Sequence, residues 1–224
     1  MKRILKISAI IIGAFIALVV LPGAIIGNYL YNTAINSSSN KSSILSAPHN
    51  ETKLSDNDNP DGDSEAISWF KKGATENYIY SLDKLKLHSY TLMNENTTNK
   101  WVIMCHGYNS NGLKQGKTAP YFYDMGFNIL APDARGHGES EGNYIGFGWH
   151  DRLDVIEHVN KIVRENKDAE IVLYGMSMGA TTVLMSSGEN LPSNVKAVIE
   201  DCGFSSAWEE LSYQLKQSYN LPEF

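Results

Sequence analysis

Cysteine is scarce. Cys105 and Cys202 are the only two in 224 residues, too few for a disulfide framework, and neither they nor the six histidines cluster at the spacing of a metal site. No metal or organic cofactor is therefore expected. Positive charge is also in short supply, with 19 Lys and Arg against 25 Asp and Glu and a net charge of −6. That balance argues against a nucleic-acid partner, which would select a basic face. No internal repeat is evident. From Ala34 to Glu65 large apolar side chains are nearly absent and Ser, Asn, Asp and Lys take their place. Such a stretch buries too little surface to offset its ordering entropy, so residues 34–65 read as a polar linker.

What the linker lacks, the N-terminus has in excess. Lys2, Arg3 and Lys6 precede an uncharged run from Ile7 to Gly27 rich in Ile, Val, Leu and Ala. Twenty-one residues at about 1.5 Å each span roughly 30 Å, the thickness of a bilayer's hydrocarbon. The run exceeds the roughly 7–15 residues of a signal-peptide core, and the small residues around Pro22-Gly23-Ala24 make an untidy cleavage site. Residues 1–33 are thus expected to be a membrane anchor, with a cleaved signal sequence as the alternative. No Lys or Arg follows before Lys41. The positive-inside rule then puts the N-terminus in the cytoplasm and everything after Asn28 outside, in a single-pass arrangement at the cell membrane.

The remaining residues, 66–224, suit one domain. Ile67 to Lys72 reads as a short helix. Glu76 to Tyr80 and Lys86 to Met93 alternate apolar and polar across a turn at Ser81 to Lys84, the pattern of a hairpin. Trp101 to Cys105, Phe127 to Ala131 and Ile171 to Tyr174 are continuous apolar runs, as in strands covered on both faces, and Val195 to Ile199 makes one more strand. Helices are expected over Thr118 to Met125, His150 to Glu165, from the third run to Ser187, and Ser205 to Tyr219. His150 and His158 are expected on the solvated side of their helix. Strand and helix alternate as in right-handed βαβ units with a mainly parallel sheet and flanking helices.

After the third run, Gly175-Met176-Ser177-Met178-Gly179 fits G-x-S-x-G, a strand-to-helix turn so tight that the serine hydroxyl is pushed clear of the backbone. Glycine at 175 and 179 avoids collision where the chain reverses. The helix that follows directs N–H groups and a partial positive charge toward the serine, an arrangement that favours a developing oxyanion.

His106-Gly107 after one buried strand, Asp133-x-Arg135-Gly136-His137-Gly138-x-Ser140 after the next and the Ser177 turn after a third together resemble the α/β-hydrolase family. The branch most similar is the membrane-anchored bacterial one related to serine aminopeptidases and monoacylglycerol lipases. The resemblance implies the α/β-hydrolase fold, Ser177 as nucleophile, and an oxyanion hole made of the backbone N–H groups of Tyr108 and Met178. It implies that His106 braces the oxyanion loop and that Asp133, Arg135 and His137 fix loop structure. The implied activity is cleavage of a small-molecule carboxylic ester, or of an amide or peptide, through an acyl-serine. The family's triad continues with an acid and then a histidine, whereas no histidine follows Ser177 in this sequence. Asp201 is a candidate acid because some relatives place it there, and a structural role in its loop is the other reading. The fold is therefore expected to be incomplete at the C-terminus, with the last strand-helix units absent and the chain inactive alone. The rival to the enzyme reading is a non-catalytic, membrane-tethered binding domain or degenerate fragment. If the family's strand order applies, the strands of Cys105 and Cys202 flank the Ser177 strand, too far apart for a disulfide, and both thiols are expected to be free.

Overall fold

A computed structural model describes residues 2–38 and 60–219. Its centre is a six-stranded sheet in the order β1-β2-β4-β3-β5-β6. β1 (Thr75–Tyr80) and β2 (Lys86–Leu92) form the expected antiparallel hairpin, and β2 also runs antiparallel to β4 (Asn128–Pro132). From β4 onward the sheet is parallel, through β3 (Lys100–Cys105), β5 (Glu170–Met176) and the edge strand β6 (Val195–Asp201). β5 thus lies between β3, which ends at Cys105, and β6, which Cys202 directly follows, and both thiols are free, Cys105 buried and Cys202 exposed.

The continuous apolar runs follow from the layers. Alternate residues of β3 face opposite sides of the sheet. Trp101, Ile103 and Cys105 join Val155, Val159 and Ile162 of α5 (Asp151–Glu165) and Val183 of α6 (Met178–Ser187). Val102 and Met104 join Phe70 of α3 (Pro60–Gly73) and Phe122 of α4 (Ala119–Asp124). With helices on both faces, neither side of the central strands meets water, and all five residues of β4 are buried. A final helix, α7 (Ala207–Tyr219), follows β6.

Three features depart from the expectations. Helix α3 begins at Pro60, inside the stretch read as linker, and carries Phe70 fully buried against the sheet. An Asp63–Lys117 ion pair joins it to the 3-10 segment Gly112–Lys117. At the linker's other end, residues 34–38 are docked on the domain, while 39–59 lie outside the described residues. The third departure is α5. His158 is 1% exposed and His150 half-buried, and Asp151 and Asp154 are buried as well. The reason is a charge: Arg135 lies over this flank and forks onto Asp154, Nε to Oδ2 at 2.7 Å and Nη2 to Oδ1 at 2.8 Å. A bidentate pair allows a helix face that reads as solvated to be covered. Burial holds His158 neutral, its pKa lowered to about 3.

The N-terminal segment is one rod, α1 (Lys2–Phe15), a π-helical stretch (Ile16–Val20) and α2 (Leu21–Ala34). Ile4–Ala34 spans 31 residues with its apolar side chains exposed, long and apolar enough to cross a membrane. The rod ends on the domain. The Ile35 carbonyl accepts the Ile145 N–H at 2.7 Å, and Asn36 makes an antiparallel bridge to Tyr144.

Because Phe70 is fully enclosed, Phe70→Ala is expected to lower unfolding stability by about 3–5 kcal/mol. Urea denaturation of the domain followed by circular dichroism measures this, and a loss below about 1 kcal/mol would mean that α3 is not part of the core.

Candidate active site

Ser177 stands between the end of β5 and the first turn of α6, with φ 54° and ψ −118°. A positive φ is strained for any residue with a Cβ, and it persists only where the surroundings enforce it. They do so through main-chain contact. A Cβ at Gly175 would overlap the Gly179 carbonyl, and a Cβ at Gly179 would overlap that of Cys105. The turn is held from both sides, since Ser177 N–H donates to the Asp201 carbonyl at 2.8 Å and the Ser177 carbonyl accepts from Thr181 N–H at 3.1 Å. The half-buried serine lines a cleft of about 330 Å³ with Gly107, Tyr108, Phe147, Phe204 and Leu211.

The loops around it are fixed by buried polar groups. His106 uses both ring nitrogens: Nε2 accepts the Ala134 N–H at 3.0 Å, so Nδ1 carries the proton and donates to the Gly107 carbonyl at 2.8 Å. Burial depresses its pKa and keeps the ring neutral. A histidine bonded in this way braces a loop and has no lone pair left to take a proton. Asp133 gathers three donors from separate segments. Its Oδ1 accepts Gly112 N–H at 2.7 Å, and its Oδ2 accepts Glu139 N–H at 2.9 Å and His88 Nδ1 at 2.8 Å. Arg135 holds Asp83 as well as Asp154, and His137 packs edge-on against His106 with centroids 5.0 Å apart.

Three of the four residues singled out from the sequence meet here. Ser177 and the Gly107–Tyr108 loop face each other, with a Cβ at Gly107 falling 3.4 Å from that of Ser177. Met178 is the first residue of α6, so its N–H has no acceptor within the helix, while its side chain is buried beside Ile145 and Phe147. The Tyr108 ring stacks on Phe147 at 5.7 Å and 15°, and its hydroxyl donates to the Ala34 carbonyl at 2.8 Å. Burial raises that phenol's pKa to about 12. Asp201 joins only through its main chain, and its side chain is exposed. Among the described residues, no histidine lines the cleft, and no group of His, Cys, Asp and Glu is arranged to hold a metal. Sequence reasoning missed Phe147, Phe204 and Leu211. Phe147 carried a signal, since it stands between two glycines and takes a positive φ of 50°.

A doubly covered, mainly parallel sheet with a strained serine at a strand-to-helix turn defines an α/β hydrolase. Residues 100–222 match the family described by the α/β-hydrolase fold, and the chain belongs to that family. Over 128 residues it is 34% identical to YqkD, an uncharacterized protein of Bacillus subtilis, covering 55% of this chain and 41% of that protein. An uncharacterized membrane protein of Saccharomyces cerevisiae is 28% identical over 107 residues, 47% of this chain and 37% of the relative. The chain thus spans about two fifths of these relatives' lengths. Among solved structures, an esterase of Pyrococcus furiosus superposes with a TM-score of 0.56 at 26% identity, over 67% of this chain and 60% of the esterase.

Asp151 contributes to the pH dependence of this region. It is 4% exposed, its Oδ2 accepts Gly148 N–H at 3.2 Å, and burial, aided by the Asp154 charge, raises its pKa to about 6. The folded state therefore keeps a proton that the unfolded state releases near pH 4, and stability falls as pH rises from about 4 to 6. Asp151→Asn removes this titration. Urea unfolding is expected to show a gain of up to about 3 kcal/mol at pH 7.5 over the parent and none at pH 4. Parallel pH profiles for the two proteins would refute the assignment.

Proposed function

We propose that this protein is a serine hydrolase that cleaves carboxylic esters, or less favourably amides and peptides, through an acyl-Ser177 intermediate. The observation that carries this reading is the strained Ser177 conformation at the head of α6, over a cleft walled by aromatic and aliphatic side chains. In the reaction, Ser177 Oγ attacks the acyl carbon, the alcohol or amine leaves with a proton, and water then releases the acid. The oxyanion is held by the backbone N–H groups of Met178 and Tyr108, each worth roughly 10²–10³ in rate. The Asp201 carbonyl anchors the turn, and its carboxylate is the weaker candidate for the acid.

The base is the open part. His106 is committed to its loop, and a serine without a base retains only about 10³–10⁴ over the uncatalysed rate. Esterase structures among the chain's neighbours favour ester over amide chemistry. The rival is a tethered binding domain that has kept the fold and lost the chemistry. A fluorophosphonate probe decides between them: covalent labelling that disappears in Ser177→Ala supports the hydrolase, and no labelling of the full-length product supports the rival.

The same reading has the rod from Ile4 to Ala34 as an uncleaved anchor and the hydrolase domain on the outer side of the cell membrane. The three cations before the span and the absence of any between Lys6 and Ala34 support that orientation. Protease added to intact cells is expected to digest the domain, and full protection until lysis would reverse the assignment.

A further inference from the structure

The N-terminal rod does more than end near the domain; α2 forms a wall of an apolar groove that shares Leu211 with the cleft over Ser177. Gly27, Leu30, Tyr31 and Ala34 recur at three- and four-residue spacing and so share one face of α2. Opposite them, Trp208, Leu211, Ser212 and Leu215 recur in the same way along α7. Together with Ile35 these stripes enclose about 240 Å³, with Ser212 the one hydroxyl-bearing aliphatic side chain among them. Leu211 lines both this groove and the cleft over Ser177. Ile35 packs in the same apolar cluster as Tyr108, Phe147, Phe204 and Leu211, so the two spaces are neighbours across one set of side chains.

The groove is tied to the anchor by directional bonds. Tyr108, whose ring faces the cleft, donates its hydroxyl to the last carbonyl of α2, Ala34, at 2.8 Å. Ser37 Oγ donates to the Gly142 carbonyl at 2.8 Å, and its N–H donates to that of Asn143 at 3.2 Å. Counting about 20 residues from the last cation, Lys6, puts the outer limit of the hydrocarbon beside Gly27. Tyr29 and Tyr31 follow just beyond it and are exposed, where aromatic side chains favour the interface, and Trp208 on α7 is exposed as well. Nothing lies within 4 Å of a Cβ built at Gly27, so the lower end of the groove is open at that depth.

We propose that the substrate is an ester of a membrane-resident lipid, whose acyl chain passes from the outer leaflet along the groove between α2 and α7 to place its carbonyl over Ser177. The ester bond is the one that Ser177 breaks. Water takes up the acyl group as a free acid, and the alcohol fragment leaves with the proton. This inference rests on the hydrolase reading, but its occupancy test does not require turnover. Each methylene moved into an apolar groove improves binding roughly fourfold, so preference is expected to climb with chain length until the groove is filled.

The test uses the full chain reconstituted in vesicles of phosphatidylethanolamine and phosphatidylglycerol. One phospholipid carries a diazirine on its acyl chain, and the protein carries Ser177→Ala so that nothing is consumed. Photolysis is expected to label α7 within residues 208–215, and Gly27→Phe, which fills the open end, is expected to cut that labelling at least fivefold. Ile25→Phe, on another face of α2, should leave it unchanged. Labelling confined to α1 and α2 would overturn the proposal, as would α7 labelling indifferent to Gly27→Phe. With Ser177 restored, Gly27→Phe is expected to lower the ratio of nitrophenyl decanoate to nitrophenyl acetate hydrolysis at least tenfold, and an unchanged ratio counts against the groove. Absence of both hydrolysis and fluorophosphonate labelling would instead defeat the serine-hydrolase reading, independently of where the lipid is found.

Discussion

Everything at the site depends on main chain touching main chain. The β5–α6 turn closes only because residues 175 and 179 have no side chains, which lets α6 settle against the Cys105 carbonyl and forces Ser177 into a conformation its Cβ disfavours. A single methyl at either glycine would have to move backbone, that of α6 for residue 175 and that at the end of the buried strand β3 for residue 179. The strain at Ser177 is thus sustained by the core, and the core's packing in turn sets the hydroxyl's position.

Around that turn the protein keeps loops rigid with buried charge. Asp133 and Arg135 leave the end of β4 two residues apart and reach in different directions, one to the hairpin and the Gly112 segment, the other to α5 and Asp83. Each satisfies several partners, which is the condition under which a buried charge is tolerable. The result is a frame in which the Gly107–Tyr108 loop cannot drift from Ser177 without breaking His106's two bonds.

Much of this was legible in the amino-acid order. Continuous apolar runs identified the doubly covered strands, turn residues located the hairpin, and the spacing of glycines around Ser177 foretold both the reversal and its steric reason. What escaped detection depended on contacts distant in sequence. The face of α5 carrying Asp151, Asp154 and His158 has the periodicity of a solvated surface, and only Arg135, arriving from another loop, makes its burial tolerable. Composition likewise marked residues 34–38 and 60–65 as linker, because nothing local reveals that Ile35 inserts among Ile145, Phe147 and Met178 or that Phe70 anchors a longer helix. The strained serine was visible from its neighbours, whereas the wall that α2 gives to the groove was not.

The open margin of the sheet has its own consequence. Among the described residues no strand pairs with the outer side of β6, whose amides and carbonyls are the kind of template on which a second copy could zip itself into a growing ribbon. Lys196, Glu200 and Asp201 stand exposed along that strand. Stacking two such margins would force desolvation of these charges, so they act as a guard against polymerisation wherever the margin is bare.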